Sequence, residues 1–348
     1  MSDWFQRLTG FAEDGYESTQ RRLTVDGGDE LVSSVNGERF GVGGELTVPT
    51  LADLRKRVTM SRGGERTSVS ALVGDARKLH SDPRFEGALF QVASQFNLLE
   101  MVSENVTPEQ GVTRYASDPT QGPACAIAAG AATIYRNYFV PFEDGIGQTA
   151  DRQIDALASL GEALSERTGH PVGALWEMRN GYALCTAAGL TAINRALVDT
   201  SAHEWDSLRG QLAIGLHRDV EVTDAKGPGR RLVSQAFCSA LPPLGYSRLP
   251  RRDWELFARL VLEATYEATL LAAAEQAAAG GSNIVLLTRV GGGVFGNEGS
   301  WIDHAIERAL NAVENAGLDI RIVSYREVGP RDEAIIGRWK AHCRWDGR

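Results

Sequence analysis

The sequence lacks an apolar run long enough to cross a bilayer, which takes about 20 residues as a helix. Its most hydrophobic helical stretch, 256–279, is interrupted by Glu263, Glu267 and Glu275. The start, Met1-Ser2-Asp3-Trp4, has neither the basic residues nor the apolar core of a secretory signal. Cysteine is scarce: the four stand at 125, 185, 238 and 343, none in a C-x-x-C pair. That spacing excludes a zinc knuckle, and two disulfides rarely hold so long a chain together. The cysteines are expected to pack as small hydrophobes in a reducing, cytoplasmic compartment. Positive charge is in deficit, with a net charge of −9. This argues against duplex nucleic acid as a primary partner, because phosphate contacts dominate that affinity. A local pocket for a small anion remains open. The six histidines are scattered without metal-ligand spacing, and no nucleophile elbow is present. No metal site and no resident cofactor are expected. A magnesium ion held through phosphate and water would leave no signature.

What is there suits one large α/β domain. The chain has 348 residues, 43% of them hydrophobic, enough for a sizeable core. Strand-like runs at 69–73, 87–93, 175–184, 211–223, 232–240, 283–290 and 318–325 alternate with helical stretches at 124–139, 151–165, 188–198, 253–279, 300–316 and 332–345. Such alternation predicts a largely parallel sheet between helices. Capping boxes are expected at Thr50 with Asp53 and at Ser300 with Asp303. On the long helix, Glu267 shares a sector with Leu260, Ala264 and Leu271, and Glu263 lies at its edge. A carboxylate on such a stripe needs a partner, and an arginine is expected.

One segment stands out. Gly291-Gly292-Gly293-Val294-Phe295-Gly296 joins a strand to a helix. Three consecutive glycines cost backbone entropy that a simple turn does not require. Their amides can form a nest for an oxyanion, so a phosphate-bearing ligand is expected here. The segment spells G-x-G-x-x-G, but Asn297-Glu298-Gly299 intervene before the helix. The following strand ends in Ser324-Tyr325-Arg326, without the acid a dinucleotide fold places on its ribose.

The order of segments resembles the macrodomain family, the ADP-ribose-binding fold that includes poly(ADP-ribose) glycohydrolases. Leu72-Val73-Gly74-Asp75 looks like the family's first strand and adenine-binding aspartate. The run from Gln91 to Asn97 resembles its asparagine tip. Gln121-Gly122-Pro123-Ala124 resembles the first phosphate loop, opening an alanine-rich helix. Asn180-Gly181-Tyr182-Ala183-Leu184 is similar to a Gly-Tyr-x-Leu strand, and Gly293-Val294-Phe295-Gly296 to the second phosphate loop. The chain departs from the family in lacking Asn-Ala-Ala-Asn at the tip, a glycine run in the first loop and the glycohydrolase Gln-Glu-Glu triplet. The resemblance implies a three-layer α/β/α mixed sheet. Residues 1–68 would be an N-terminal extension packed on the core, 69–330 the ADP-ribose-binding core with an insertion at about 186–229, and 331–348 a C-terminal helix.

The resemblance implies that an ADP-ribosyl linkage is hydrolysed. The candidates for that chemistry are Glu100, Asn97 and Gln121. Glu100, among apolar neighbours, reads either as a carboxyl of raised pKa that activates water or as a solvent-facing side chain. Asn97 reads as a ribose ligand or a turn residue, and Gln121 as a substrate-orienting or a loop amide. The expected ligand contacts are Asp75, Gly122, Pro123, Gly291, Gly292, Gly293, Val294, Phe295, Gly296 and Asn297. Asp75 reads equally well as a helix cap. Two further classes stay open: a non-catalytic sensor of ADP-ribose or another NAD-derived nucleotide, and a different nucleotide or sugar-phosphate enzyme.

Overall fold

The computed structural model describes residues 3–58, 64–227 and 229–345. Among them, the main sheet has seven strands: β1 (Leu46–Thr47), β2 (Ser68–Val73), β3 (Leu89–Ala93), β4 (Gly215–Glu221), β5 (Leu232–Cys238), β6 (Ile284–Leu287) and β7 (Asp319–Ser324). Their spatial order is β1-β4-β5-β3-β6-β7-β2. The five strands from β5 to β2 are parallel, while β4 runs antiparallel to β5 and to β1.

The helices that matter for the site are α1 (Trp4–Thr9), α2 (Leu51–Arg57), α3 (Ala76–His80), α4 (Gln121–Ala128), α5 (Gly130–Tyr138), α6 (Ala187–Val198), α7 (Ala202–Gly210), α8 (Glu255–Ala278), α9 (Gly299–Ala312) and α10 (Pro330–Trp345). They cover both faces of the sheet. The apolar run of β3 shows why, since a strand buried on both sides must satisfy both. Phe90 stacks on His80 of α3, with ring centroids 3.8 Å apart. The next residue, Gln91, points the other way and donates to Thr269 of α8 at 3.2 Å. Burial lowers the His80 pKa to about 4, so the ring is neutral. Its Nδ1 donates to the Ala76 carbonyl and its Nε2 accepts from Gln235.

The long helix α8 is buried along most of its length and packs against α2, α6, α7 and α9. Its two buried carboxylates are paired as expected. Glu267 accepts from Arg55 at 2.6 Å and from Arg308 at 3.2 Å. Glu263 accepts from Arg209 at 2.6 Å and from the Trp205 indole at 3.1 Å. The Thr50–Asp53 capping box is formed.

Three expectations are corrected. The stretch 124–139 is two helices, α4 and α5, broken at Ala129 (φ −109, ψ 60). At the break, Gly130 donates to Thr223 Oγ1 and Thr133 donates to the Ala126 carbonyl, so side chains replace the helical ladder. The stretch 175–184 is a hairpin of Trp176–Arg179 and Tyr182–Cys185, turning at Asn180 (φ 46) and Gly181 (φ 80). Ser300 does not cap α9. The N-cap is Glu298, and Asp303 is taken by Arg289 and Arg331. The segment 186–229, read as an insertion, contributes β4 to the main sheet as well as α6 and α7. The N-terminal residues likewise do more than cover the core. They form a three-stranded antiparallel sheet, Leu23–Asp26, Glu30–Ser33 and Arg39–Gly41, and supply edge strand β1. The C-terminal helix, expected over 331–348, is α10. Residues 346–348 lie outside the described residues.

Candidate functional site

A parallel sheet gathers its loops at the carboxyl ends of its strands, where ligands of open α/β folds bind. A cleft of about 1040 Å³ lies there. It is bordered by Gly74 and Asp75 after β2, Ala93 to Gln95 after β3, Ala240 after β5, Thr288 to Gly291 after β6 and Tyr325 after β7. Its size is at the upper end of small-molecule sites, roughly 300–1,000 Å³.

Glu100 lies in this cleft and is only 3% exposed. Its solvent-facing reading is therefore set aside. Burial pushes its carboxyl well above the usual carboxylate range. The positive charge of Arg136 opposes the shift, and the negative charge of Asp118 adds to it. Among the described residues, Oε1 has no hydrogen-bond partner. The backbone N–H of Glu100 donates to Tyr115 Oη at 3.0 Å. Gly122 faces it from the start of α4. A Cβ at Gly122 would collide with the Ala93 carbonyl and with Glu100 Oε2, so glycine is what lets the helix start approach both. Gln121 and Pro123 also border the cleft. The Gln121 side chain is committed to the fold. It accepts from the Ala93 N–H at 2.8 Å and donates to the Gln91 carbonyl at 2.9 Å, satisfying the β3 backbone beyond its last pair with β6.

The glycine loop forms another part of the cleft wall. It is two successive turns, with Gly292 N–H donating to Arg289 O and Gly296 N–H to Gly293 O. Gly291 and Gly296 sit at φ +75 and +66, where side chains at these positions would strike Ala240 and Leu244. Gly291, Gly293, Val294 and Phe295 border the cleft. No acceptor for the N–H groups of Gly293, Val294 and Phe295 is found among the described residues. Those three amides, with that of Gly291, which also has no acceptor among the described residues, are the part of the loop that can serve an anion. Gly292 is turned away: its Cβ direction points at Ile302 of α9, whereas that of Gly293 is open.

Four expected contacts sit outside the cleft lining: Gly292 and Gly296, which shape the glycine loop, and Asn97 and Asn297. Asn97 is fully buried. It donates to Gln153 at 2.8 Å and accepts from the Leu99 N–H at 3.1 Å. The strand tip folds inward there, and Leu98 takes φ 63, so Asn97 ties the tip to neighbouring segments. Asn297 is also buried, donating to the Leu241 and Gly291 carbonyls, and braces the glycine loop from behind. Asp75 combines both of its readings. It caps α3 by accepting from the Arg77 and Lys78 amides, and it borders the cleft.

Several cleft residues were not among the expected contacts. Tyr182 and Tyr246 join Phe295 in an aromatic cluster with centroids 4.9 to 5.7 Å apart. Thr288 and Arg289 sit at the end of β6. The loop there is fixed by Tyr266, whose hydroxyl donates to the Thr288 carbonyl and accepts from the Val290 N–H. No group of three or more His, Cys, Asp or Glu among the described residues could hold a metal ion. The cysteines are free, and no helix among the described residues is long and apolar enough to cross a membrane.

Comparison with solved structures finds similarity to bacterial poly(ADP-ribose) glycohydrolases. The chain is similar to that of Thermomonospora curvata, with 12% identity, TM-score 0.43, and 93% of this chain and 95% of that one covered. It is similar to the Deinococcus radiodurans enzyme in complex with ADP-ribose, with 13% identity, TM-score 0.41, and 87% and 95% covered. No family model matches, and no curated protein matches. At such identities and TM-scores, function has to be argued from the cleft itself.

Proposed function

We propose that the cleft binds ADP-ribose and that the protein hydrolyses an ADP-ribosyl linkage. The observation that carries this reading is the placement of Glu100. It is a buried carboxyl of raised pKa beside the backbone of Gly122, in a large cleft that the amides of Gly293 to Phe295 also border. Two backbone segments bordering one cleft suit a diphosphate, since amides bind oxyanions without desolvating a charged side chain. Asp75 is positioned to accept from an adenine amino group. The aromatic cluster of Tyr182, Tyr246 and Phe295 offers a wall to the distal ribose.

A carboxyl kept protonated near neutral pH can donate to a leaving oxygen. In this reading Glu100 gives its proton to the oxygen that departs from the anomeric carbon. Water attacks that carbon, and its proton passes to the Glu100 carboxylate, restoring the acid. General acid–base catalysis of this kind contributes about 10²- to 10⁴-fold. Four free cysteines fit a reducing, cytoplasmic setting.

The test is to follow release of ADP-ribose from an ADP-ribosylated protein and from poly(ADP-ribose), with the parent and Glu100→Gln. Turnover by the parent, lost in a variant that still binds ADP-ribose, is expected. Binding without turnover by the parent would make the protein a sensor. Absence of ADP-ribose binding would remove the ligand assignment and direct the search to other nucleotides and sugar phosphates.

A further inference from the structure

Residues 94–120, between β3 and α4, carry Glu100, and their ordered pieces are two 3₁₀ turns, Pro108–Gln110 and Thr113–Ser117. The second turn lacks a side-chain cap at its own N-cap residue, Val112. A remote residue does that work. Glu13 Oε1 accepts from the Val112 N–H at 2.8 Å, and Glu13 Oε2 accepts from the Thr113 N–H at 2.7 Å. Oε1 also accepts from Tyr138 Oη of α5 at 2.8 Å. Carboxylate–amide bonds of this type are charge-assisted and directional. Gly111, at φ +82, makes room, because a Cβ there would collide with the Glu13 carboxylate.

The capped turn carries Tyr115, 1% exposed, whose hydroxyl accepts from the Glu100 N–H at 3.0 Å. A second observation agrees. Leu99 and Met101, on either side of Glu100, do not belong to the core of the main sheet. They pack in a separate cluster with Phe5 and Phe11 of the N-terminal segment and with Val112 and Tyr115. The backbone around Glu100 is held from two sides: Gln95, Asn97 and Tyr182 bind Leu99 and Met101 from the β3 tip and the hairpin, while the Glu100 N–H itself is held by Tyr115, whose turn is capped from the N-terminal segment.

We propose that Glu13 is a positioning residue for Glu100, acting through the Val112 and Thr113 amides and the Tyr115 hydroxyl. The inference rests on the reading of Glu100 as the proton-transfer group. It divides labour: loss of the Glu13 cap lowers the rate of the chemical step and leaves ADP-ribose affinity in place.

The experiment compares the parent with Glu13→Gln, which turns an amide donor toward N–H donors, and with Gly111→Ala, which displaces the carboxylate. Glu17→Gln, on an exposed side chain, is the control. The readouts are kcat and KM for ADP-ribose release, Kd for ADP-ribose, and hydrogen exchange at the Val112, Thr113 and Glu100 amides. The expected result for both test variants is a kcat about ten- to a hundredfold lower, as for a small misplacement of a reacting group. KM and Kd should stay within about twofold, and exchange should rise at all three amides. An unchanged kcat with faster exchange at Val112 and Thr113 would overturn the proposal, as would a Kd weakened in proportion to kcat. If neither variant folds, Tyr115→Phe decides. It should lower kcat and free the Glu100 amide while Val112 and Thr113 stay protected, and an undiminished kcat would refute the coupling. If the parent neither binds nor releases ADP-ribose, the functional reading falls by itself. The exchange data then judge the inference: faster exchange at Glu100 in Glu13→Gln but not in Glu17→Gln supports it, and no change overturns it.

Discussion

Replacing Glu100 by glutamine should lower activity while raising stability, and the stability gain should depend on pH in a defined way. The parent carboxyl is 3% exposed, and burial raises its pKa well above the ordinary value of 4.5. Below the unfolded-state pKa, the group is protonated in both folded and unfolded chains and contributes no pH dependence. As pH rises past that value, the unfolded chain ionises while the folded one keeps its proton. The parent then loses stability, by up to about 1.4 kcal/mol per pH unit for one proton, until the folded-state pKa is reached. The amide of the Glu100→Gln variant does not titrate. The difference between variant and parent should therefore grow from acid toward neutral pH with at most that slope, and then level off. Urea unfolding of both proteins at half-unit steps from pH 4 to pH 8 measures it, read from midpoints at constant m. Turnover should fall about 10²- to 10⁴-fold over the same range. A stability difference that is flat with pH, or that shrinks as pH rises, would refute the claim that Glu100 is held protonated by burial.

Three further outcomes are expected. Gly122→Ala forces its methyl against the Ala93 carbonyl and Glu100. It should cost about 1–3 kcal/mol in thermal unfolding, as overpacking does, and abolish most turnover. Glu263→Ala leaves Arg209 buried without its closest carboxylate. It should destabilise by about 3 kcal/mol with kcat unchanged, because Glu263 is engaged by Arg209 and Trp205 of α7 and does not border the cleft. Gly181→Ala, at φ +80 and against Asn97 and Gln95, should destabilise the hairpin and loosen the strand tip, seen as faster hydrogen exchange over 95–99.

The sheet was largely legible from the sequence because its signals are local. The run 87–93 is apolar, of strand length and bounded by turn residues, and β3 lies within it. The Thr50–Asp53 box needs only residues three apart. Glu267 could be placed on a buried sector of α8 from the 100° helical step alone, and its need for arginine followed. What failed was competition from afar. Ser300 and Asp303 have capping-box spacing, but Arg289 and Arg331 draw Asp303 away from the helix start. Ala124 to Phe139 has helical composition throughout, yet Thr223 supplies an acceptor that breaks it. Asn180-Gly181 did carry a local signal. The pair favours a two-residue hairpin turn, and reading 175–184 as one strand passed over it. At the site, Glu100 and the glycine loop could be singled out from their neighbours in sequence. Tyr115, Tyr246 and Glu13 could not, since each matters through partners far along the chain.

The direction of the glycine loop decides how the central claim is best tested. Gly292 faces Ile302, so a side chain there would disturb α9. Gly293 opens into the cleft and tolerates a side chain sterically. ADP-ribose should therefore be titrated calorimetrically into the parent and into Gly293→Glu, with unfolding curves to show that both are folded. Saturable binding by the parent, lost in the variant whose new carboxylate occupies the proposed diphosphate nest, is the predicted result. A parent that binds no ADP-ribose, or a folded Gly293→Glu that binds it as tightly as the parent, would contradict the account.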